Sequence, residues 1–296
     1  MAPFLASLAR DDLAPATLRG YHYDLRHFLA WHRTVHDGAF ALEGLADHEL
    51  IAYRQHMIAA GRRPATVNRR LDALRRLGRW ARRTGALAVP ALDVRPMRTV
   101  RNRQPVGLTD AEVHALLRAA GASSHGLATR NYALTQLMLQ AGLRVGEVAA
   151  LQVADLTMND RSGSVRIRHG KGLKAREVPL NATARRALKQ HLEGRQASGK
   201  DAALFVSSRE TAMPVRTIQA VIASLARRAR LKRITVSAHT LRHTFAIGYL
   251  RDNPGKLVEL ASLLGHESLD TTAIYTRPSR DELAADLERS RLNVDG

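Results

Sequence analysis

The sequence predicts an α+β protein, mostly α, in two domains: an all-helical N-terminal domain and a mixed α/β domain holding a small antiparallel sheet. Three observations predict it. The chain of 296 residues is about twice the ~150-residue norm for one domain. Its first ~95 residues carry only helical periodicity. Strand-like alternation is confined to a short stretch near 165–180, inside a run that otherwise reads as helix.

The elements follow in order. Pro15-Ala16-Thr17 opens a helix whose Leu18, Tyr21, Leu25, Phe28 and Leu29 share one face. A second helix spans Asp47 to Ala59, and a third starts at Arg63-Pro64. On a helical wheel, the third places Val67, Leu71, Leu74, Leu77 and Ala81 on one side. Arg69, Arg75, Arg76, Arg79, Arg82 and Arg83 occupy the adjoining side. Asp72 is the one acidic residue in that helix, so no i,i+4 pairing offsets the repulsion among the arginines. A solvated charged face is the ordinary explanation of such a pattern; this one is expected to lie on a nucleic-acid backbone.

From Val89 to Val106 the periodicity stops, and Pro90, Pro96 and Pro105 punctuate Arg95, Arg98, Arg101 and Arg103. The domains are therefore read as 1–95 and 108–296, joined by a basic linker over 96–107. Thr109 and Glu112 have capping-box spacing ahead of Val113, Leu116 and Leu117. A helix runs from Ala128 to Gln140, and a turn or two follows Gly146. Val165-Arg166-Ile167-Arg168 and Arg176-Glu177-Val178-Pro179-Leu180 flank His169-Gly170-Lys171-Gly172, which predicts a hairpin with a lysine at its tip. Asn181 suits an N-cap, and a last amphipathic helix covers about Arg280 to Arg291.

Composition narrows the function. The chain holds 46 basic and 27 acidic residues, a net charge of +19. The excess is spread, +7 over residues 1–100 and +12 over the rest. Both halves are thus expected to face a polyanion, foremost nucleic acid. The absence of cysteine excludes disulfides, thiolate metal sites, iron–sulfur clusters and a cysteine nucleophile. No apolar run approaches the ~18–20 residues of a membrane span, and the N-terminus lacks a basic signal-peptide region. A cytoplasmic, nucleoid-associated protein without membrane contact is expected.

Four short stretches offer chemistry: Ala141 to Glu147, the hairpin tip with Lys171, Ser237 to His243, and Leu264-Gly265-His266 followed by Tyr275. Each is weak alone. Arg144 by itself reads as a snorkelling structural arginine, His266 as a capping or core histidine, and Tyr275 as core packing. Lys171 competes with a plain solvated turn and with Lys174. His239 and Arg242, at i,i+3, project from one helix face and suit one phosphate together. His239 and His243 at i,i+4 suggest zinc, but Thr240 stands where a zinc protease needs Glu, and Arg242 opposes a dication. No metal is expected.

The order Arg, Lys, His-x-x-Arg, His, Tyr in so basic a chain resembles the tyrosine site-specific recombinases, the phage integrase family with its Xer-like members. Gly142-Leu143-Arg144, Gly170-Lys171-Gly172, His239-Thr240-Leu241-Arg242-His243-Thr244 and Leu263-Leu264-Gly265-His266 with Thr271-Thr272-x-x-Tyr275 carry the likeness. It runs from Leu108 to about Arg291. Thr17-Leu18-x-x-Tyr21-x-x-Asp24-Leu25-x-x-Phe28 and Pro64-Ala65-Thr66-Val67-Asn68 are similar to that family's helical, SAM-like core-binding domain. After Tyr275 the chain reads Thr276-Arg277-Pro278, where many chromosomal Xer proteins have Thr-His.

The resemblance implies roles. Tyr275 would attack a scissile phosphate, leaving a 3′-phosphotyrosyl link and a free 5′-hydroxyl. Arg144 and Arg242 would grip the non-bridging oxygens, and Lys171 would protonate the leaving oxygen. His239 would deprotonate or orient the tyrosine, His266 would donate to the phosphate, and Glu147 would buttress the site. Elementary chemistry agrees: preorganised cations stabilise the transition state without a metal, and a tyrosine near pKa 10 needs a base or cations to favour its phenolate. No cofactor is implied. Partners would be double-stranded DNA with an inverted-repeat core site and three further protomers, a homotetramer or a hetero-tetramer with a second recombinase, exchanging strands through a Holliday junction. The terminal helix, with Leu283, Leu287 and Leu292, would dock on a neighbour. Type IB topoisomerase-like relaxation and a binding-only DNA protein are the competing readings.

Overall fold

The computed structural model describes residues 2–11, 13, 15–36, 38–86, 92–98, 105–122, 127–168, 175–194, 199, 201–266, 268–276, 284 and 287–289. The chain divides into two compact units, Met1–Arg103 and Gln104–Gly296. Among the described residues no helix is long and apolar enough to cross a membrane.

The first unit is helical: α1 (Ala2–Arg10), α2 (Pro15–Val35), a 3-10 turn at Leu42–Gly44, α3 (Asp47–Ala59) and α4 (Pro64–Arg83). Its core joins Leu25 and Phe28 of α2, Leu50, Tyr53 and Met57 of α3, and Val67, Leu71, Leu74 and Leu77 of α4. All five apolar positions read on the α4 wheel are buried. Helix α1 was not legible as periodicity, because nine residues make too few turns. It buries Phe4 and Leu8, with the Phe4 ring 5.6 Å from Trp80.

Two sequence expectations are corrected here. The arginine face of α4 is not without carboxylates: Arg69 pairs with Asp24, Arg75 with Asp72 at 2.7 Å, and Arg76 with Asp11 at 3.1 Å. Two of these acids lie on other segments, which an i,i+4 test within one helix does not reach. Arg70 points the other way and is buried, donating to His27 Nε2 at 2.9 Å, whose Nδ1 meets Tyr53 OH at 2.7 Å. The stretch read as a linker is in part docked. Val94 is buried in the first core, and the Asn68 amide clasps both the N–H and C=O of Met97 at 2.7 and 2.8 Å. At its other end, Gly107 O accepts from Arg233 at 2.7 Å and Leu108 N donates to Thr244 Oγ1 at 2.8 Å. A side chain that supplies backbone-like hydrogen bonds to an extended segment leaves no periodic signature.

The second unit starts with α5 (Asp110–Gly121), held by the expected Thr109/Glu112 capping box. It continues through α6 (Ala128–Ala141), α7 (Val145–Ala150), β1 (Leu156–Met158), β2 (Gly163–Ile167) and β3 (Arg176–Pro179). Then come α8 (Ala182–Glu193), capped by Asn181, α9 (Val215–Arg228), α10 (Ala238–Asp252), α11 (Leu257–Leu264) and α12 (Asp270–Ala273). Helix α6 is buried nearly all round and packs on α5, α8 and α10. The sheet is antiparallel in order β1-β2-β3, with Val165 opposite Val178. Val165, Ile167 and Val178 point into the core. Strand β1 was not read from the sequence; three residues give no alternation to detect. The hairpin tip with Lys171 and most of the expected terminal helix lie outside the described residues.

Candidate active site

Two helix ends frame the site. Helix α6 stops at Gly142, φ +59°, where a Cβ would sit 2.2 Å from Phe245 Cδ1. Helix α11 stops at Gly265, φ +63°, where a Cβ would sit 2.8 Å from the Arg176 guanidinium. Left-handed backbone and the lack of space both demand glycine. These ends present carbonyls that have no partner within their helices.

Three guanidinium groups take them up. Arg242, buried on α10, donates Nη1–H to Gly142 O at 2.7 Å and Nη2–H to Leu264 O at 2.8 Å. Arg144 donates to Gly265 O at 3.0 Å, and Arg176 of β3 donates to Leu263 O at 3.1 Å. Glu147, its side chain only 5% exposed, accepts two bonds from Arg176 at 2.8 and 2.9 Å, one from Arg144 Nη1 at 3.0 Å and one from the Arg144 backbone at 2.8 Å. Burial opposes its ionisation, but the bonds and charges of Arg176 and Arg144 prevail and hold its pKa below the usual carboxylate value. Burial first, then the charge of Arg144, lowers Arg242 to about 10.

The histidines and the tyrosine complete the arrangement. Arg242 Nη2 lies 2.8 Å from His266 Nε2, and His266 Nδ1 lies 2.7 Å from Thr272 Oγ1. An arginine can only donate, so Nε2 accepts, and neutral His266 gives its Nδ1 proton to Thr272. The role implied for His266, donation to a phosphate, is thus not the role of its Nε2 in the DNA-free protein, where it anchors Arg242. His243 Nδ1 stands 2.7 Å from Tyr275 OH. This partner was expected to be His239; that ring instead packs on His243, centroids 4.2 Å apart. The geometry follows from α10, on which 243 lies one turn beyond 239 on the same face, so the two rings meet.

Burial, then neighbouring charges, lowers His243 and His266 to about 4. His239 also falls, through partial desolvation and then the charges of Arg242 and Arg144. Tyr275 packs its ring against the cluster of Ala246, Leu260 and Leu264, and burial raises its pKa against the opposing pull of Arg242. The phenolate is therefore not favoured in the DNA-free protein. Arg144, Glu147, Arg242, His239, His266 and Tyr275 thus occupy one site; Lys171 falls outside the described residues. Arg176, His243 and Thr272 were missed. Arg176 reads as an ordinary strand residue, and His243 stood in the sequence as half of a rejected zinc spacing and inside a family motif, with no role of its own.

Residues 107–282 match the phage integrase family, and residues 2–85 match the phage integrase N-terminal SAM-like domain. The chain belongs to the phage integrase family, the tyrosine recombinases. It is 30% identical to tyrosine recombinase XerC of Neisseria gonorrhoeae over 284 residues, covering 95% of this chain and 91% of that protein. It is 34% identical to tyrosine recombinase XerD of Ralstonia nicotianae over 281 residues, covering 92% and 87%. In fold it resembles the XerH recombinase in a post-cleavage complex with a palindromic difH substrate (TM-score 0.73, 23% identity, 93% and 80% covered). It also resembles the Tn1549 transposon integrase with transposon right end DNA (TM-score 0.75, 17% identity, 97% and 98% covered). This recombinase is accordingly a DNA-cleaving and rejoining enzyme whose function is site-specific recombination. Neither the topoisomerase nor the binding-only alternative is favoured.

Two predictions follow from the electrostatics of this recombinase. Glu147→Gln keeps the shape and removes the charge, leaving Arg176 and Arg144 without a counter-ion. It should cost about 3 kcal/mol in denaturant unfolding; a loss under about 1 kcal/mol would show that the carbonyls alone suffice. Folding lowers His243 and His266 from 6.5 to about 4, so the unfolded chain takes up these protons first as pH falls. Their stabilisation is whole above about pH 6.5 and drains away toward pH 4. The melting temperature should drop across that window, and drop less in His243→Phe; identical profiles would refute the assignment.

Proposed function

We propose that Tyr275 attacks the scissile phosphate of a duplex recombination site, forming a P–O bond to its phenol oxygen while the bond to the 5′ oxygen breaks. Its proton passes to His243, with His239 behind it. The leaving 5′ oxygen takes a proton from Lys171, and attack by a 5′-hydroxyl later reverses the step. The observation that carries this reading is the Tyr275 hydroxyl at 2.7 Å from the neutral imidazole of His243, beside an arginine cluster that retains unused donors. Among the described residues, two of Arg144's five N–H groups and three of Arg242's are committed to Glu147, His266 and carbonyls. The others are left for the non-bridging oxygens, where the loss of one such donor costs about 10²–10³ in rate. An entering phosphate adds negative charge next to His266 and favours its protonated, donating form. Glu147 acts through the arginines that it holds.

The DNA partner is a core site with inverted repeats, bound by a homotetramer or by a hetero-tetramer with a second recombinase. The palindromic difH substrate of XerH and the lambda integrase dimer on a COC′ core site favour such an arrangement. Strand exchange then proceeds through a Holliday junction in the cytoplasm, on the nucleoid. The division into domains of 1–95 and 108–296 is kept, with the connector over 96–107 anchored at Met97 and at Gly107 and its basic residues available to the duplex. In the first unit, Arg76, Arg79, Arg82 and Arg83 line a groove of about 630 Å³ against Phe4, Leu8 and Trp80. Among the described residues Arg79, Arg82 and Arg83 have no carboxylate partner, which makes them the better phosphate ligands of the six α4 arginines expected to face DNA. Arg69, Arg75 and Arg76 would have to exchange an aspartate for a phosphate.

The experiment for the chemistry incubates the protein with sheared genomic DNA of its source, without metal, quenches with detergent and sequences the DNA left attached. Adducts at one short inverted repeat, absent from Tyr275→Phe, are expected. Adducts scattered without sequence preference would favour the topoisomerase, and none at all would refute the cleavage assignment. For the groove, Arg79→Ala with Arg82→Ala should reduce the log–log salt slope of DNA binding by about 0.9 per lost phosphate contact. An unchanged slope would remove α4 from the interface.

A further inference from the structure

Four carboxylates of the described residues are buried: Asp24, Glu49, Glu147 and Asp155. Three of them face arginine: Asp24 faces Arg69 and Arg70, Glu147 faces Arg144 and Arg176, and Asp155 faces Arg168. Glu49 is different. Its titratable neighbours among the described residues are imidazoles, with His36 Nε2 at 3.0 Å and the exposed His48 Nε2 at 4.0 Å from Oε1.

We propose that His32, His36 and Glu49 bind one divalent transition-metal ion, of the Zn²⁺ type, that clamps α2 to α3. His32 and His36 are i,i+4 on α2 and project from the same face, their rings stacked with centroids 4.4 Å apart. Glu49 enters from the first turn of α3. One ligand atom from each residue lies within 4.8 Å of the others. A tetrahedral site with bonds of about 2.0–2.2 Å needs donors about 3.3 Å apart, so a contraction on the order of 1 Å closes the set.

A second observation points to the same ligand. Glu49, its side chain 10% exposed, has an Oε2 atom with no hydrogen-bond partner among the described residues, and so has the buried Nδ1 of His32. The His36–Glu49 contact answers Oε1 alone and leaves both other atoms unsatisfied, a state that buried polar groups rarely keep. A cation held by the three residues offers the cluster a common partner. Phe40 lies edge-on to the His32 ring, centroids 5.1 Å apart, walling the inner side. His36, its side chain 44% exposed, leaves the outer side open for entry and for a water or the His48 imidazole in the fourth position. Two imidazoles with a single carboxylate suit zinc and its transition-metal neighbours and disfavour Mg²⁺ and Ca²⁺, which demand oxygen ligands.

The full-length protein, stripped with chelator, is titrated with Zn²⁺ by calorimetry and with Co²⁺ by visible absorption. One equivalent per chain is expected, with the visible bands of a four- or five-coordinate cobalt site. His36→Gln and Glu49→Gln should each weaken binding beyond the roughly 10–100-fold that loss of an outer-shell partner costs. Zn²⁺ should raise the melting temperature of the wild type and of neither variant. Failure to bind one equivalent, or a loss under about tenfold in either variant, overturns the proposal. Should a variant fail to fold, carbethoxylation of the wild type decides: Zn²⁺ protects His36 from the reagent, and unchanged reactivity overturns the assignment.

Discussion

Gathering guanidinium groups in one half-buried place is the constraint on which this molecule depends. Like charges repel more strongly as water is excluded, and among the described residues one carboxylate, Glu147, is set among them. The remaining compensation comes from the carbonyls of Gly142, Leu263, Leu264 and Gly265 at the ends of α6 and α11. Each helix end carries partial negative charge, and the two left-handed glycines turn the chain away so that the guanidinium groups can approach. Stability and the proposed catalysis thus share one arrangement. The donors are already oriented when a phosphate arrives, and no reorganisation is required at the moment of reaction.

The same desolvation holds the proposed nucleophile in reserve. Tyr275 packs its ring on the small apolar cluster of α10 and α11, and its hydroxyl is held by a histidine that burial keeps neutral. The phenol is protonated in the DNA-free protein because burial outweighs the pull of Arg242. His266 is likewise neutral and serves as an acceptor for Arg242. Among the described residues of the site the arginines carry the positive charge, while His243, His266 and Tyr275 wait in their uncharged forms.

The first unit solves a similar problem by different means. Arg70 is buried beside Asp24 and linked through His27 to Tyr53. Burial raises both Asp24 and Tyr53 in pKa, against the arginines beside them. The neighbouring Arg69, Arg75 and Arg76 turn outward and borrow carboxylates from α2, α4 and the end of α1. Partial neutralisation lets so basic a helix fold, and it leaves Arg79, Arg82 and Arg83 as the uncompensated part of its face.

Periodicity along the chain was enough to place the long elements. The core of α4, the caps at Thr109 and Asn181, the span of α3 and the pairing of β2 with β3 each depend on residues close in sequence. The candidate catalytic positions were legible because Gly142-Leu143-Arg144, His239-x-x-Arg242, Gly265-His266 and Tyr275 keep a family order. What the sequence left open was decided by contacts between distant segments. Arg176 meets Glu147 from 29 positions away, His243 meets Tyr275 from 32, and Asn68 holds Met97 from 29. Helix α10 shows no amphipathic stripe, because its core face and its catalytic face lie side by side around the axis. The sequence by itself determined which residue types and turns were available. Only the tertiary structure decided which histidine holds the tyrosine and which carboxylate meets each arginine, since desolvation and pairing are set by neighbours that folding brings together.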